Sequence, residues 1–162
     1  MTVLDVPVLI TRDEAGVARA FLNVCTHRGA TLCKEGSGSA RRLVCPYHSW
    51  QFDFGGKLRA MYGASTFGEI DPTRHGLTEL PSAERCGLIW VCLSRGEDFD
   101  IDAWLGEFAT KLNELHLDQW HLYEQRELPG PGWKVAWDGY LESYHHASVH
   151  PQTVGKFTIG NL

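Results

Sequence analysis

Two short pairs of cysteine and histidine constrain this chain more than any other feature of its sequence. Cys25-Thr26-His27 forms the first pair and Cys45-Pro46-Tyr47-His48 the second, with 17 residues between them. Each pair brings a thiol and an imidazole together on a short segment, and both groups bind transition metals. The alternation over 50–54, followed by Gly55-Gly56, predicts a β-hairpin directly after the second pair. The sequence therefore predicts a metal centre held by loops of a small β-structure.

The order of the ligands distinguishes two kinds of metal centre. A zinc finger places two cysteines in one pair and two histidines in the other. Here each pair is mixed, which suits a Rieske [2Fe-2S] centre, where two histidines replace two cysteines on one of the irons. We expect Cys25 and Cys45 to bind one iron and His27 and His48 to bind the other. A structural zinc site is the alternative. We interpret the remaining cysteines as buried or incidental thiols: Cys33, Cys86 and Cys92.

Composition excludes several classes of protein. The 162 residues carry a net charge of −5 and no long basic block, which argues against a nucleic-acid partner. The sequence has no apolar run of the ~18 residues that a membrane span needs, and its first ten residues lack the basic start of a secretory signal. Five cysteines cannot all pair within the chain. We therefore expect a cytoplasmic protein without a membrane partner, whose thiols are ligands or free.

Hydrophobic patterns predict short strands first and helices later. The segment 88–93 is apolar throughout, which predicts a strand buried on both faces. The spacing of apolar residues up to Leu115 predicts a helix that begins at Asp98–Asp102. A strand over 121–128, a break at 129–132 and a helix over 133–146 follow. Further strands are predicted at 8–10, 17–23, 42–45 and 50–54, and the core side chains expected of the last helix are Trp133, Val135, Tyr140 and Leu141.

A second group of candidate ligands lies near the end of the chain. Glu142 and His145 are three residues apart and would share a helix face, with Asp138 one turn earlier. His150 could join His145 only if the helix ended between them. Two histidines with a carboxylate and open positions form the facial triad of non-haem iron oxygenases. The helical spacing by itself slightly favours His146 with His150, and an ordinary amphipathic helix with surface histidines is the plainer interpretation.

The sequence resembles the large (α) subunit of the Rieske non-haem iron ring-hydroxylating oxygenases. The resemblance rests on NVCTHRGATLCKEG and RRLVCPYHSWQFDFGGKL, and on Glu142-x-x-His145-x-x-x-x-His150 after Trp133-Lys134. Ser49 and Gly132 stand where the family usually has Gly and Asn. The resemblance implies that Cys25, His27, Cys45 and His48 hold the cluster, that His145 and His150 bind iron, and that Glu142 and Asp138 are catalytic. It implies a mainly β Rieske domain, an antiparallel sandwich with hairpin cluster loops, over 1–97. The first helical segments of an α+β catalytic domain would occupy 98–162.

The resemblance also implies an activity and partners. The family hydroxylates aromatic or other small organic substrates with O₂, using electrons that pass from NAD(P)H through a reductase or ferredoxin. Glu142 would link subunits, which implies a homotrimer or an α3β3 assembly. The family's third iron ligand is a downstream carboxylate, and the family has further residues before the first strand, so we expect the chain to be a fragment that is inactive alone. A Rieske-type electron carrier is the second hypothesis.

Overall fold

The computed structural model describes residues 1–94 and 99–158. Short strands dominate its first half: β1 (Thr2–Val3), β2 (Val6–Arg12), β3 (Ala18–Leu22), β4 (Leu43–Val44), β5 (Gln51–Phe52), β6 (Leu58–Ala60), β7 (Glu79–Leu80), β8 (Ser82–Arg85) and β9 (Leu88–Val91). Helices follow: α1 (Ile101–Leu105), α2 (Phe108–Glu114), α3 (Trp133–Leu141) and α4 (His146–Val149). Single turns of 3₁₀ helix lie at Ala64–Thr66, Pro72–Arg74, Leu117–Gln119 and Val154–Lys156.

The strands form three antiparallel sheets. One sheet has the order β1-β2-β3-β7, a second has β4-β5-β6, and β8 pairs with β9. The hydroxyl of Thr11 in β2 donates a 2.7 Å hydrogen bond to the carbonyl of Phe54, which ties the first sheet to the hairpin of the second. The first part of the chain is thus mainly β with antiparallel sheets, as predicted.

The main core lies around the predicted cluster cysteines. Cys25 and Cys45 are 2% and 1% exposed and belong to one apolar cluster. The other buried members of that cluster are Phe21, Leu32, Leu43, Trp50, Phe52, Leu58 and Leu77. Burial of these side chains fixes the positions at which the two cysteine loops leave the sheets. The core therefore holds the predicted ligand loops in place.

The chain divides into two compact units, Met1–Trp120 and His121–Leu162. In the first unit, Ile101, Leu105 and Leu112 of α1 and α2 form a small apolar cluster with residues of the β8–β9 hairpin. The domain boundary predicted at 97 and 98 lies outside the described residues, so that boundary remains a prediction. None of the helices in residues 1–94 and 99–158 is long and apolar enough to cross a membrane.

Several predicted elements differ from the structure. The strand over 88–93 ends at Val91, and its first two side chains are exposed because β9 pairs only with β8 among the described residues. The predicted helix start at Asp98 lies outside the described residues; α1 begins at Ile101, where the Asp100 carboxylate accepts the N–H of Ala103. The helical stretch divides at Gly106 into α1 and α2. Residues 121–128 form no strand and are exposed.

The predicted helix over 133–146 is also interrupted. Helix α3 ends at Leu141, and Glu142 has an extended backbone with φ −115° and ψ 146°. The four side chains expected to be core are instead exposed, because the described residues of the second unit contain no sheet or long helix to cover them. They are Trp133, Val135, Tyr140 and Leu141.

Candidate metal centres

The two Cys–His pairs lie on loops of the same construction. The N–H of Cys25 donates to the carbonyl of Ala30 at 2.8 Å, and the N–H of Gly29 donates back to the carbonyl of Cys25 at 2.9 Å. In the second loop Cys45 pairs with Trp50 at 2.8 Å, and Ser49 donates to Cys45 at 3.0 Å. Each loop thus closes six residues with one hydrogen-bond pattern. The two cysteines therefore occupy equivalent positions, whereas His27 lies two residues after its cysteine and His48 three residues after its own.

The loops bring the four predicted ligands together. The thiols of Cys25 and Cys45 are free of disulfides and lie within hydrogen-bonding reach of each other. The ring centroids of His27 and His48 are 4.6 Å apart, at an interplanar angle of 67°. Cys25 thus lies beside Cys45, and His27 beside His48, although the two loops are distant in sequence. This convergence is what a centre with two thiolate and two imidazole ligands requires.

The backbone around the cysteines favours negatively charged sulfur. Burial raises the pKa of the Cys25 thiol, although the backbone N–H groups of His27 and Arg28 oppose that rise. Burial acts in the same direction on Cys45, but the N–H groups of His48 and Tyr47 and the neighbouring thiol outweigh it and lower the pKa of Cys45. Backbone N–H donors stabilise a thiolate in this way, and metals bind the thiolate form.

The imidazole of His27 has a buried nitrogen, Nδ1, without a hydrogen-bond partner in the described chain. Burial lowers the pKa of His27 first, and the charges of His48 and Arg28 lower it further, so the ring is held neutral. A neutral imidazole with a buried, unpaired nitrogen is a ready metal ligand. The residues present therefore fit a Rieske [2Fe-2S] cluster.

Aromatic rings cover the two histidines unequally. Trp50 is 3% exposed and stacks on His27, with ring centroids 4.6 Å apart and planes within 3°. Phe67 meets the same imidazole edge to face at 5.9 Å. His48 meets the ring of His27 and that of Tyr47, and the Tyr47 ring is 62% exposed. A surface depression of about 770 Å³ opens beside His48 and Tyr47. Both histidines are partly buried and both line this depression, but His27 has the larger aromatic cover.

The second group of candidates gathers where α3 ends. The Glu142 carboxylate accepts the backbone N–H of His145 at 3.2 Å and also pairs with the Nδ1 of its ring. This contact lowers the pKa of Glu142, chiefly through the hydrogen bond with His145. A carboxylate that holds one nitrogen of a histidine leaves the other nitrogen directed for a metal. Glu142 thus reaches His145 although the two do not share a helix.

The structure distinguishes the two possible histidine pairs. The ring centroids of His145 and His150 are 5.5 Å apart, and those of His146 and His150 are 6.3 Å apart. The Nδ1 of His146 is also engaged by the hydroxyl of Thr158 at 3.0 Å. His145 lies at the start of α4, and His150 follows its end at Val149 with a backbone that is no longer helical. The arrangement therefore favours His145 with His150 over the pair that helical spacing suggested.

Asp138 stands apart from this group. It is exposed on α3, and its side chain makes no hydrogen bond or ion pair with another residue of the described chain.

Within residues 1–94 and 99–158, no three His, Cys, Asp or Glu side chains are grouped so that they could hold one metal ion. A depression of about 740 Å³ lies beside the histidines and is lined in part by Val135, Tyr140 and Val154.

Comparison with known proteins decides the family. Residues 1–71 match the Rieske [2Fe-2S] domain, and residues 117–161 match the catalytic domain of the ring-hydroxylating α subunit. The two matches cover both candidate centres in the expected order. The chain belongs to the Rieske non-haem iron oxygenase large subunits.

Relatives of this Rieske oxygenase chain include enzymes named for different substrates. It is 31% identical to the glycine betaine monooxygenase oxygenase subunit of Chromohalobacter salexigens, over 94% of this chain and 34% of that protein. It is 36% identical to the chloroplastic choline monooxygenase of Beta vulgaris, over 88% and 33%. It is 30% identical to the anthranilate 1,2-dioxygenase large subunit of Burkholderia cepacia, over 96% and 39%. The chain thus spans between a third and two fifths of the length of these relatives.

Solved structures agree with the sequence comparison. A quaternary ammonium Rieske monooxygenase matches with a TM-score of 0.83 and 27% identity, over 95% of this chain and 43% of that one. A naphthalene 1,2-dioxygenase with bound indole matches with a TM-score of 0.71 and 29% identity, over 94% and 36%. The family uses a [2Fe-2S] cluster and a mononuclear iron, and the Rieske oxygenase chain has candidate ligands for both.

Sequence reasoning missed three contributors to these centres. Phe67 lies in an irregular stretch without a periodic pattern, so nothing marked it as a neighbour of His27. Thr158 engages His146 from beyond the motif. Gly155 packs against the carbonyls of His146 and His150, where an added Cβ would lie 2.5 and 2.7 Å from their oxygens. In the sequence, only the position of Gly155 near the histidine motif could have indicated this role.

Proposed function

We propose that this chain forms the cluster-bearing and iron-binding portion of an oxygenase that hydroxylates a small organic substrate with O₂. Electrons would come from NAD(P)H through a reductase or ferredoxin. When bound, a Rieske cluster passes single electrons, and a mononuclear iron provides the place where O₂ and substrate meet. The observation that best supports this proposal is the convergence of the two equivalent Cys–His loops, with the Nδ1 of His27 buried and unpaired.

Each iron of the proposed cluster would have two ligands from the Cys–His pairs. Cys25 and Cys45 would hold one iron of the cluster, while His27 and His48 would hold the other. Both histidines line the depression, where a partner can approach the centre. The backbone N–H groups near each cysteine stabilise the charged sulfurs.

The mononuclear iron would use His145 and His150. Glu142 orients the imidazole of His145 by holding its Nδ1, which leaves the opposite nitrogen for the metal. In the assembled homotrimer or α3β3 enzyme, Glu142 would connect this centre to the cluster of a neighbouring subunit. Asp138 is the remaining acidic candidate near the iron, and its role rests on the family motif alone.

The substrate class that the comparisons favour is a quaternary ammonium compound. The matched structure of that class has the higher TM-score, 0.83 against 0.71 for the naphthalene enzyme. Two of the relatives described above are named for betaine and choline. An aromatic substrate is the second candidate, and it is supported by the anthranilate relative. The rates at which the enzyme and its reductase convert choline, glycine betaine and anthranilate would distinguish a quaternary ammonium substrate from an aromatic one.

A Rieske-type electron carrier is the alternative function. It is favoured by the lack of a third ligand beside His145 and His150 among the described residues. Iron and acid-labile sulfide per chain, measured on anaerobically purified protein, test both proposals. Two irons with two sulfides mean that only the Rieske centre fills. Three irons with two sulfides support the oxygenase directly, whereas zinc without sulfide would overturn the cluster.

The assignment of His48 has its own test. In the variant His48→Cys an anionic thiolate replaces a neutral imidazole, so a cluster that still assembles should have a lower reduction potential. Protein-film voltammetry measures that potential. An unchanged potential would contradict His48 as a ligand.

A further inference from the structure

The indole of Trp50 has an unusual environment beside the cluster loops. The side chain is 3% exposed, and its Nε1 is buried without a hydrogen-bond partner among the described residues. Buried tryptophan N–H groups normally have a partner. Even the partly exposed Trp90 of the same unit has a partner, because its Nε1 donates to the carbonyl of Arg85 at 3.1 Å. Trp50 is therefore an exception that needs an explanation.

None of the described neighbours of Trp50 accepts a hydrogen bond from its Nε1. Its ring lies flat on His27, and the rings of Phe67 and His75 meet it edge to face at 6.3 and 5.9 Å. The His75 backbone carbonyl already accepts the hydroxyl of Thr26 at 2.8 Å. An indole N–H can only donate. The missing partner must therefore be an acceptor that this unit does not provide from its own side chains.

A second unpaired nitrogen lies against the first. The Nδ1 of His27 is also buried and without a partner in the described chain, and its ring is only 4.6 Å from that of Trp50. A metal–sulfur cluster would satisfy both atoms at once, since iron takes the imidazole nitrogen and sulfur accepts the indole N–H. No organic ligand with a single donor or acceptor would do so.

We propose that Trp50 is a positioning residue whose indole N–H donates a hydrogen bond to a sulfur of the cluster while its ring fixes the plane of His27. This inference rests on the cluster assignment made above. A hydrogen bond to sulfur favours the more negative, reduced cluster and so raises its reduction potential. Trp50 would then influence the potential at which the centre accepts an electron.

The variant Trp50→Phe tests the hydrogen bond. Phenylalanine keeps an aromatic ring against His27 but removes the N–H. We expect iron and sulfide contents equal to those of the unchanged chain, with reduction about tenfold less favourable, which is 59 mV for a one-electron couple. Trp90→Phe is the matched control, because it removes an indole N–H whose partner is a backbone carbonyl. It should leave the potential unchanged.

A measurement on the unchanged chain covers the case in which Trp50→Phe fails to load a cluster. The full chain is labelled with ¹⁵N-tryptophan, reduced, and studied by pulsed EPR in H₂O and D₂O. We expect a ¹⁵N hyperfine coupling and an exchangeable proton coupling that persist in Trp90→Phe. Their absence from the labelled chain, or an unaltered potential in a loaded Trp50→Phe, would overturn the inference alone. A chain that holds no [2Fe-2S] cluster would overturn the proposed function as well.

Discussion

Gly29 and Ser49 occupy the same position in the two cluster loops, and both have a left-handed backbone. Their φ values are 72° and 56°. A residue with a Cβ loses about 1–2 kcal/mol of stability in this backbone region, whereas glycine adopts it without that cost. Glycine in turn loses about 0.5–1 kcal/mol through the larger entropy of its unfolded state, which offsets part of the difference. Ser49 is therefore a strained residue at the position where the resemblance leads us to expect glycine.

Ser49→Gly should raise the free energy of unfolding of the metal-free chain by up to about 1 kcal/mol. The reciprocal control is Gly29→Ser, where an added Cβ would meet no atom within 4 Å, so that only the backbone strain is introduced. That variant should lower the stability by a similar amount. Urea denaturation followed by tryptophan fluorescence measures both. Equal stabilities for all three proteins would show that the loop relaxes around Ser49.

Asp53 stabilises the hairpin that follows the second ligand loop. Its carboxylate accepts the N–H of Lys57 at 2.9 Å and the guanidinium of Arg59 at 2.7 Å. Partial burial raises the pKa of Asp53, but the N–H of Lys57 and the charge of Arg59 outweigh it and hold the pKa below its usual value. The carboxylate form therefore stabilises the folded chain.

The variant Asp53→Asn should lose about 1 kcal/mol of stability at neutral pH. Because the pKa of Asp53 is lower in the folded chain, its stabilisation is complete above the unfolded pKa of ~3.9 and is lost as the pH falls through the folded value. The difference between the two proteins should shrink below about pH 4. Urea titrations from pH 7 to pH 3 measure it, with the exposed Glu14→Gln as the control. A difference that did not depend on pH would assign the effect to packing rather than charge.

At the scale of elements, the end of α3 shows how a local contact overrides a periodic pattern. The residues over 133–146 have helical spacing, yet Glu142 is extended and its carboxylate takes the N–H of His145. A side chain that accepts an N–H three residues later begins a new helical turn in the manner of a capping residue. The end of α4 at Val149, after which His150 has φ −123° and ψ 43°, is what frees His150 from helical spacing relative to His145. Periodicity alone could not reveal the break at Glu142, because the contact depends on side-chain geometry.

Two glycines of the second unit should respond oppositely to alanine. Gly139 lies within α3, where a Cβ would meet nothing within 4 Å, so Gly139→Ala should stabilise the helix by about 1 kcal/mol. Gly155 donates its N–H to the carbonyl of His150 at 3.0 Å, and a Cβ there would clash with two carbonyl oxygens. Gly155→Ala should therefore separate the turn Val154–Lys156 from α4. Amide exchange followed by NMR should show more protection over α3 in the first variant and less over 154–158 in the second. Unchanged exchange in Gly155→Ala would mean that the close approach is not maintained in solution.

Structural features that depend on a few adjacent residues were predicted correctly from the sequence. Features that depend on contacts with distant residues were not. The Cys25 and Cys45 loops and the hairpin at Gly55-Gly56 are set by a few adjacent residues, and the structure has them as expected. The burial of Leu88 and Ile89 depends instead on whether other strands flank β9, and among the described strands only β8 pairs with it. The same holds for residues 121–128, which were predicted to be a strand but pair with no other strand of the described residues.

At the scale of the whole molecule, the two candidate centres use separate sets of residues. The four cluster candidates lie within Met1–Trp120, and Glu142, His145 and His150 lie within His121–Leu162. The loading of the cluster should therefore be independent of the second histidine motif within one chain.

The double variant His145→Ala/His150→Ala should keep two irons and two acid-labile sulfides per chain, together with the visible absorption and circular dichroism of a Rieske cluster. Cys45→Ser should lose the sulfide and those bands, because a buried thiolate ligand is removed from the core that holds the loops. Any third iron in the unchanged chain should disappear in the first variant. Metal and sulfide analysis after anaerobic purification measures all three proteins. A loss of sulfide in the double variant would place a cluster ligand in the second unit and would contradict the assignment of all four ligands to the Cys25 and Cys45 loops.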